Sequence, residues 1–180
     1  MSTTEIKFAG LGGQGVILAG IIIGRAASIY DNKYATLTQS FGPEARGSAC
    51  SAQVLLSDEK ILYPYVTRPE ILMALSQEAF NKFLPEARDN ATIIIEEELV
   101  RPKGLRPGMK AFGIPATRLA EELGRKMILN IVMVGFFTAV TKLVNYEAVQ
   151  EAVKASVPHG TEHMNLRAYE RGYEYGQALL

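Results

Sequence analysis

The sequence lacks the features that mark secreted, disulfide-bonded or membrane-spanning proteins. It contains one cysteine, Cys50, and no tryptophan. A single cysteine excludes an internal disulfide, and it excludes an iron–sulfur cluster or a cysteine zinc site held by this chain alone. The longest uninterrupted run of apolar residues and glycine covers only residues 16–24, far short of the roughly 20 residues that span a bilayer. The first residues also lack the basic and then apolar order of a signal peptide, so we expect a cytoplasmic protein without a membrane association.

An excess of charge of one sign is absent as well. The chain has 19 Lys and Arg against 19 Asp and Glu, a formal net charge of zero. This balance argues against a nucleic-acid-binding protein that works by counterion release. Apolar residues make up 48% and charged residues 21% of the 180 residues, a composition typical of one globular domain with a sizeable core.

Short apolar strands alternate with helical patterns along the chain. This alternation predicts the α/β class, with a single Rossmann-like domain, a mostly parallel sheet and helices on both faces. The predicted strands cover residues 6–9, 34–38, 49–56, 91–95 and 111–114. The predicted helices cover residues 14–29, 116–123, 127–144, 146–156 and 161–180.

Two of these helices, residues 14–29 and 127–144, are apolar on every side. A helix without a polar face is a buried one, so each needs a second covering besides the sheet, and a second chain is one candidate. Residues 68–88 are predicted to hold two short helical stretches. Residues 61–63 could return as an antiparallel strand before Pro64 ends it.

A glycine loop directly follows the first predicted strand, residues 6–9, and begins the first helix. Gly10, Gly12 and Gly15 fit the spacing G-x-G-x-x-G, and Gly13 adds a fourth glycine. Glycine lets the backbone turn sharply and approach a ligand closely, and the free N–H groups of the helix start favour a phosphate. The strand–loop–helix context therefore predicts a phosphate-binding loop, with tight strand–helix packing as the alternative.

The same region lacks what a nicotinamide or ATP site requires. A nicotinamide site needs an acid at the end of the second strand, but Asp31, the nearest acid, precedes that strand (residues 34–38). The lysine and hydroxyl residue of a P-loop are also missing, because Val16 follows Gly15. The loop thus predicts a phosphate group on a ligand other than NAD or ATP.

A second loop, residues 39–48, is rich in turn-forming residues. It should emerge at the same edge of the sheet as the glycine loop, which places Arg46 within reach of the same anion. The planar guanidinium of arginine suits a phosphate. The alternative is a surface ion pair of Arg46 with Glu44 that shapes the turn.

Few other polar residues point to chemistry. Asn130 lies within an apolar helix, where its amide either bonds a neighbouring backbone or contacts a ligand. Cys50 falls in a strand and is predicted to be a small core residue. Residues 96–98 are three glutamates, which we interpret as a run of charged side chains exposed to solvent. His159 and His163 lie on either side of Gly160, where the helix is broken, so we do not expect them to bind one metal ion from the same helix face.

Taken together, these motifs resemble the gamma subunit of 2-oxoacid:ferredoxin oxidoreductases. The resemblance extends over nearly the whole chain and predicts one gamma-type domain over residues 1–180. Residues 39–50 and 75–78 of the chain look most like the 2-oxoglutarate-using branch of this family. Two positions differ from the usual family pattern: Phe41 stands where tyrosine is usual, and Ser48 where glycine is usual. The matching pieces are residues 10–16, 39–47 and 74–79, Asn130 with Gly135, and more weakly Asn165 with Gly172.

The resemblance implies a multi-subunit enzyme that decarboxylates a 2-oxoacid, passes electrons to ferredoxin and forms an acyl-CoA. Thiamine diphosphate, Mg²⁺ and [4Fe–4S] clusters are then expected in partner subunits, and not in this chain. The implied partners are an alpha subunit, a thiamine-binding beta subunit and a ferredoxin-like delta subunit. This chain would be a non-redox subunit, inactive alone, without catalytic or metal-binding residues.

The resemblance also implies a coenzyme A site on the glycine loop. The free-standing alternative is a nucleotide- or dinucleotide-binding module, and a further alternative is a purely structural subunit of the same complex. The residues that would approach the pyrophosphate, face a phosphate or make a nearby polar contact are Gly12, Gly13, Gln14, Gly15, Arg46, Gly47 and Asn130.

Overall fold

A six-stranded sheet forms the centre of the computed structural model, which describes residues 3–41 and 48–180. The strand order is β2-β3-β1-β4-β5-β6. Because β3 pairs antiparallel with both β1 and β2, it alone runs against the other five strands. The predicted mostly parallel sheet is confirmed. The strands are β1 Thr4–Leu11, β2 Tyr34–Ser40, β3 Ala49–Ser57, β4 Ile71–Ala74, β5 Thr92–Glu96 and β6 Lys110–Ile114.

Six α-helices accompany the sheet in the described part of the chain. Asn145 begins α5 as the sequence pattern predicts, since its side-chain oxygen accepts hydrogen bonds from the N–H groups of Glu147 and Ala148. Short π or 3₁₀ turns extend three helix ends, at Ala26–Tyr30, Leu84–Glu86 and Lys126–Ile128. The helices are α1 Val16–Arg25, α2 Gln77–Phe83, α3 Ala116–Glu122, α4 Leu129–Thr141, α5 Tyr146–Ser156 and α6 Glu162–Leu179.

The helices cover both faces of the sheet, as predicted, but unequally. Ile6 and Phe8 of β1 face a large apolar core shared with α1, α3, α4, α5 and α6. Ala9 and Leu72 face a smaller core on the other side, shared with α2. The single Rossmann-like architecture is therefore that of a sheet with a thick helical layer on one face and one helix on the other.

The prediction for residues 68–88 is wrong in its first half, and β4 lies there instead. All four β4 residues are buried, and a short apolar run of this kind has no periodicity that separates a strand from a helix. The second helical stretch is present as α2. Residues 61–63 form no strand, because the chain from β3 to β4 crosses the sheet as an irregular segment.

The two all-round apolar helices are buried by this chain itself. Residues 129–139 of α4 are all buried, since α4 packs against α1 on one side and α6 on the other. No residue of α1 is exposed, because α4 and α5 cover the side that faces away from the sheet. The second covering is thus internal for α4 and incomplete for the first predicted helix, in which Ile17, Leu18 and Ile21 are half-buried and Ile29 is exposed. No helix in the described ranges combines the length and apolarity that a bilayer crossing requires.

Candidate functional site

The candidate site lies in a crevice between the carboxyl ends of β1 and β4. From β1 the chain continues through α1 on one face to β2, while from neighbouring β4 it continues through α2 on the opposite face to β5. Neighbouring connections that leave in opposite directions define a topological switch point, which is where open α/β sheets bind ligands. The glycine loop forms one side of this crevice, and Leu75 and Ser76 form the other.

The glycine loop turns outward at Gly13. Its backbone is in the left-handed region at both Gly13 (φ 95°) and Gly15 (φ 78°), where side chains with a Cβ are strained. The N–H of Gly12 donates to the carbonyl of Ser48 over 3.1 Å, which joins the loop to the start of β3. Gly13 is exposed, and a Cβ placed on it would meet no atom within 4 Å. The loop therefore presents the backbone around Gly13 to the crevice.

The side chain of Gln14 lies along the base of the crevice. Its Oε1 accepts a hydrogen bond from the N–H of Leu11 over 2.7 Å. Its Nε2 donates to the carbonyl of Leu75 over 2.9 Å. Gln14 thus connects the end of β1 to the end of β4, two strands whose ends form the two sides of the site.

Asn130, in the first turn of α4, reaches the other end of the glycine loop. Its Nδ2 donates to the carbonyl of Gly15 over 3.2 Å, and the residue is buried. A Cβ on Gly15 would lie 2.7 Å from Asn130 Cγ, so the last glycine of the motif makes room for this side chain. The backbone-bonding interpretation of Asn130 is what the structure shows. Its ligand contact stays a prediction.

Three helices begin directly after strands at this edge, and α1 differs from the other two. Ser76 caps α2 by accepting from the N–H of Ala79. Glu96 occupies the first turn of α3 by accepting from the N–H and the hydroxyl of Thr117. By contrast, α1 has no side-chain cap and no acidic residue in its first turn. Its partial positive charge is therefore available to an anion in the crevice.

Two interpretations of single residues can be compared directly with the structure. The interpretation of residues 96–98 as a solvated run is wrong for Glu96, which is fully buried, and holds for Glu97 and Glu98, which are exposed. Cys50 is a buried strand residue, as predicted. Burial raises the pKa of the Cys50 thiol, which disfavours the thiolate that nucleophilic chemistry needs.

The predicted anion-binding residues Arg46 and Gly47 lie outside the described residues. Of the described residues that precede and follow them, Ser40 ends β2 and Ala49 begins β3 opposite Leu11, both at this edge of the sheet. Asp31 lies at the opposite edge, where its carboxylate accepts from the N–H of Asn145. The acid that would bind a nicotinamide ribose is therefore not provided by Asp31.

Sequence reasoning missed three contributors to this edge. Leu75 supplies the carbonyl that bonds Gln14, and a main-chain acceptor leaves no signal in the sequence. Arg125 and Lys126 are exposed just before α4, within five residues of Asn130, and form no ion pair among the described residues. The sequence did contain a signal for Arg125 and Lys126, because two adjacent basic residues precede an apolar helix.

Within residues 3–41 and 48–180, no group of three or more His, Cys, Asp or Glu side chains is arranged to hold a metal ion.

Comparison with known proteins gives a consistent result. The family model for pyruvate ferredoxin/flavodoxin oxidoreductase matches residues 5–175. The chain is 45% identical over 177 residues to the 2-oxoglutarate synthase subunit KorC of Methanocaldococcus jannaschii, covering 97% of this chain and 95% of that protein.

Solved structures agree in fold. A keto/oxoacid ferredoxin oxidoreductase gamma subunit from Geobacter sulfurreducens matches with a TM-score of 0.87 and 36% identity, covering 99% of this chain and 98% of that one. A 2-oxoglutarate:ferredoxin oxidoreductase from Magnetococcus marinus, solved with 2-oxoglutarate, coenzyme A and succinyl-CoA, matches with a TM-score of 0.89 at 21% identity. All of this chain is covered in that match but only 32% of the longer chain, and at this identity the likeness shows the fold alone.

Proposed function

This chain belongs to the pyruvate ferredoxin/flavodoxin oxidoreductase family as a gamma subunit of a 2-oxoacid:ferredoxin oxidoreductase, and we propose that it helps to bind and position coenzyme A in that complex. It resembles the subunits of 2-oxoglutarate synthase, so 2-oxoglutarate is the 2-oxoacid we propose. One gamma-type domain over residues 1–180 carries this role. Membership of the family argues against the alternative of a free-standing nucleotide-binding module.

One observation carries the proposal: α1 begins at the switch-point crevice without a side-chain cap or an acidic residue in its first turn. The exposed backbone at Gly13 lies three residues before this start, with open space beside it. A pyrophosphate fits this arrangement, because backbone N–H groups and the helix dipole both favour a negative charge. The exposed Arg125 and Lys126 add positive charge to the same edge.

The proposed contacts follow from this arrangement. The main chain of the loop would approach the pyrophosphate, and the guanidinium of Arg46 would bind a phosphate of the same ligand, with Gly47 beside it. Asn130 holds the loop from α4. The members of this proposed site are Gly12, Gly13, Gln14, Gly15, Arg46, Gly47 and Asn130.

The chemical contribution of the chain is positioning rather than reaction. The family uses thiamine diphosphate and iron–sulfur clusters, and we propose that these, with Mg²⁺, are held by alpha, beta and ferredoxin-like delta partner subunits, with ferredoxin as the electron acceptor. Holding coenzyme A with its thiol directed at the partner that carries the acyl group makes the capture step effectively unimolecular. Such a role needs a rigid anion site and no titrating catalytic side chain in this chain.

The test is Gly13→Val in the assembled complex. A branched side chain at φ 95° both strains the loop and fills the open space that a phosphate would occupy. We expect the KM for coenzyme A to rise by at least tenfold, with the KM for 2-oxoglutarate within twofold of wild type, in a viologen-reduction assay. Arg46→Ala should raise the same KM.

Gly160→Val is the matched control. Gly160 has nearly the same backbone conformation, φ 91°, and equally open space, but it lies in the turn between α5 and α6. Its valine variant should leave the KM for coenzyme A within twofold of wild type. An unchanged KM for coenzyme A in both Gly13→Val and Arg46→Ala would overturn the proposal in favour of a purely structural subunit.

A further inference from the structure

We propose that Gln14 is a positioning residue that holds the glycine loop against the residue after β4, and that its side chain acts through the backbone groups of Leu11 and Leu75 rather than by touching coenzyme A. This inference rests on the proposed coenzyme A site and adds to it. The glycine loop binds the ligand with its main chain, and Gln14 decides where that main chain lies relative to the start of α2.

Both functional groups of the Gln14 amide are already engaged inside the protein. The carbonyl oxygen accepts from Leu11 N, at 2.7 Å, which satisfies the last N–H of β1. The amide nitrogen donates to Leu75 O, at 2.9 Å. A terminal amide whose oxygen and nitrogen are both engaged has a fixed orientation. Main-chain pairing already ties β1 to the residue after β4 as far as Ala9, whose carbonyl accepts from the N–H of Leu75 over 2.9 Å. The position of the glycine loop beyond Ala9 relative to Leu75 therefore depends on Gln14.

Gly10, the first glycine of the motif, is fitted to this side chain. A Cβ on Gly10 would lie 2.7 Å from Gln14 Oε1 and 2.9 Å from a methyl group of Val16. No L side chain makes contacts this short without movement of its neighbours. The first glycine is therefore required by the packing of Gln14 and Val16 over the end of β1. A Cβ on Gly13, by contrast, would meet open space.

Loss of the connection should change ligand affinity without removing a ligand contact. The free N–H groups of the first turn of α1 must lie within about 0.5 Å of their places to bond a phosphate well. Without Gln14, the end of β1 loses a hydrogen-bond acceptor and the β4–α2 junction is no longer tied to the loop. The chemical step takes place on partner subunits, so the turnover number should be unaffected.

The first experiment is Gln14→Glu in the assembled complex. Glutamate has nearly the same size and can still accept from Leu11 N, but it cannot donate to the carbonyl of Leu75. We expect the KM for coenzyme A to rise about tenfold, with kcat and the KM for 2-oxoglutarate within twofold of wild type. Should this variant fail to assemble, Gln14→Ala removes the connection without adding charge and is assayed in the same way.

Gln77→Glu is the matched control. The Gln77 amide also joins two segments at this edge, because its Oε1 accepts from the N–H of Arg101 over 2.6 Å and its Nε2 donates to the carbonyl of Arg101 over 3.2 Å. It lies on α2 and makes no contact with the glycine loop. Its variant should leave all three kinetic constants within twofold of wild type.

A double-mutant cycle separates positioning from direct contact. Gly10→Ala alone should raise the KM for coenzyme A, because its methyl group displaces the Gln14 side chain. In the Gln14→Ala background the added methyl group no longer meets Gln14 but still meets Val16, so the effect of the double variant on this KM should be smaller than the product of the two single effects. If the two effects instead multiply, Gln14 acts independently of Gly10 and the proposal is overturned.

A second readout needs no coenzyme A. Hydrogen exchange in the peptide that covers residues 8–15 should be at least tenfold faster at Leu11 in Gln14→Ala than in wild type, and unchanged exchange would overturn the connection itself. If Gly13→Val raises the KM for coenzyme A while Gln14→Glu does not, only the role of Gln14 fails. If Gly13→Val and Arg46→Ala both leave the KM for coenzyme A unchanged, the proposed coenzyme A site fails, whatever the exchange shows.

Discussion

Single polar side chains at the two edges of the sheet perform different tasks. At the carboxyl edge, Gln14, Asn130 and Glu96 bond backbone groups and so shape the crevice. At the amino edge, Glu5 accepts from the N–H of Thr67 over 2.7 Å and from the guanidinium of Arg88 over 2.6 Å. Burial by itself would raise the pKa of Glu5, but these hydrogen bonds outweigh it and hold that pKa below its ordinary value of 4.5. The amino edge is therefore a structural ion network rather than a site.

The depressed pKa of Glu5 predicts a pH-dependent stability. Because the folded-state pKa lies below the unfolded-state value, the contribution of Glu5 is fully present above about pH 4.5 and is lost as the pH falls through the folded-state pKa. Glu5→Gln should lower the free energy of unfolding by about 1–2 kcal/mol at neutral pH, a range reduced by the partial exposure of Arg88. The difference between wild type and variant should shrink below that pH, as measured by urea unfolding of the purified chain.

The control for this prediction is Glu122→Gln. Glu122 is an exposed carboxylate at the end of α3, without an ion pair among the described residues. Its variant should follow the wild-type stability curve within about 0.5 kcal/mol at every pH. A Glu5→Gln variant with the same pH dependence as wild type would contradict the ion-network interpretation.

At the scale of elements, α4 and α6 pack unusually closely. A Cβ on Gly135 would lie 2.8 Å from the N atom of Tyr173, and one on Gly172 would lie 2.8 Å from the carbonyl carbon of Val132. These are backbone atoms, which cannot move aside as a flexible side chain can. The glycines at 135 and 172, which support the family resemblance, therefore serve helix packing. Close contact of α6 is also what buries the apolar face of α4 that the sheet does not reach.

This packing predicts a large effect of a small substitution. Gly135→Ala should lower the free energy of unfolding by roughly 3 kcal/mol, because the added methyl group forces two helix backbones apart. Gly24→Ala is the matched control in α1, where a Cβ would meet nothing within 4 Å. It should be neutral or stabilising by about 0.5–1 kcal/mol, since alanine is the better helix former. Equal stabilities of the two variants in thermal unfolding would argue against the close helix contact.

At the scale of the whole molecule, the reversed strand β3 brings its first residues to the glycine loop. Because β3 runs against its neighbours, it begins at the edge where β1 ends, and the carbonyl of Ser48 accepts from the N–H of Gly12. The edge so formed has an uncapped helix start, a basic pair and an exposed Phe41. Under the proposed function, this is the edge at which coenzyme A held by this chain would meet the partner subunits.

The proposed division of labour predicts that the purified chain alone does not reduce a viologen dye with 2-oxoglutarate and coenzyme A. Its one cysteine cannot supply the thiolates of a [4Fe–4S] cluster. Addition of the partner subunits should restore coenzyme-A-dependent reduction. Dye reduction by the pure chain, dependent on the 2-oxoacid, would contradict a non-redox role.

The amino-acid sequence by itself determined the α/β class, five of the six strands, the glycine loop and the family. These features depend on local patterns: alternating apolar runs, the Asn145 cap of α5, and motifs of a few consecutive residues. The strand β4 was not predicted because its four residues are all apolar and so show no alternation of apolar and polar positions. Its interior position arises from pairing with β1 and β5 on either side.

Only the tertiary structure decided how the site is held together. The contact of Asn130 with Gly15 joins residues 115 positions apart, and that of Gln14 with Leu75 joins residues 61 positions apart. Both acceptors are main-chain carbonyls, which every residue possesses, so the residue types at positions 15 and 75 do not predict these hydrogen bonds. The burial of Glu96 and the enclosure of α4 by α6 likewise depend on where distant elements come to lie. The sequence therefore identifies the residues of the loop, and the packing of β4 and α4 against it assigns each side chain its partner.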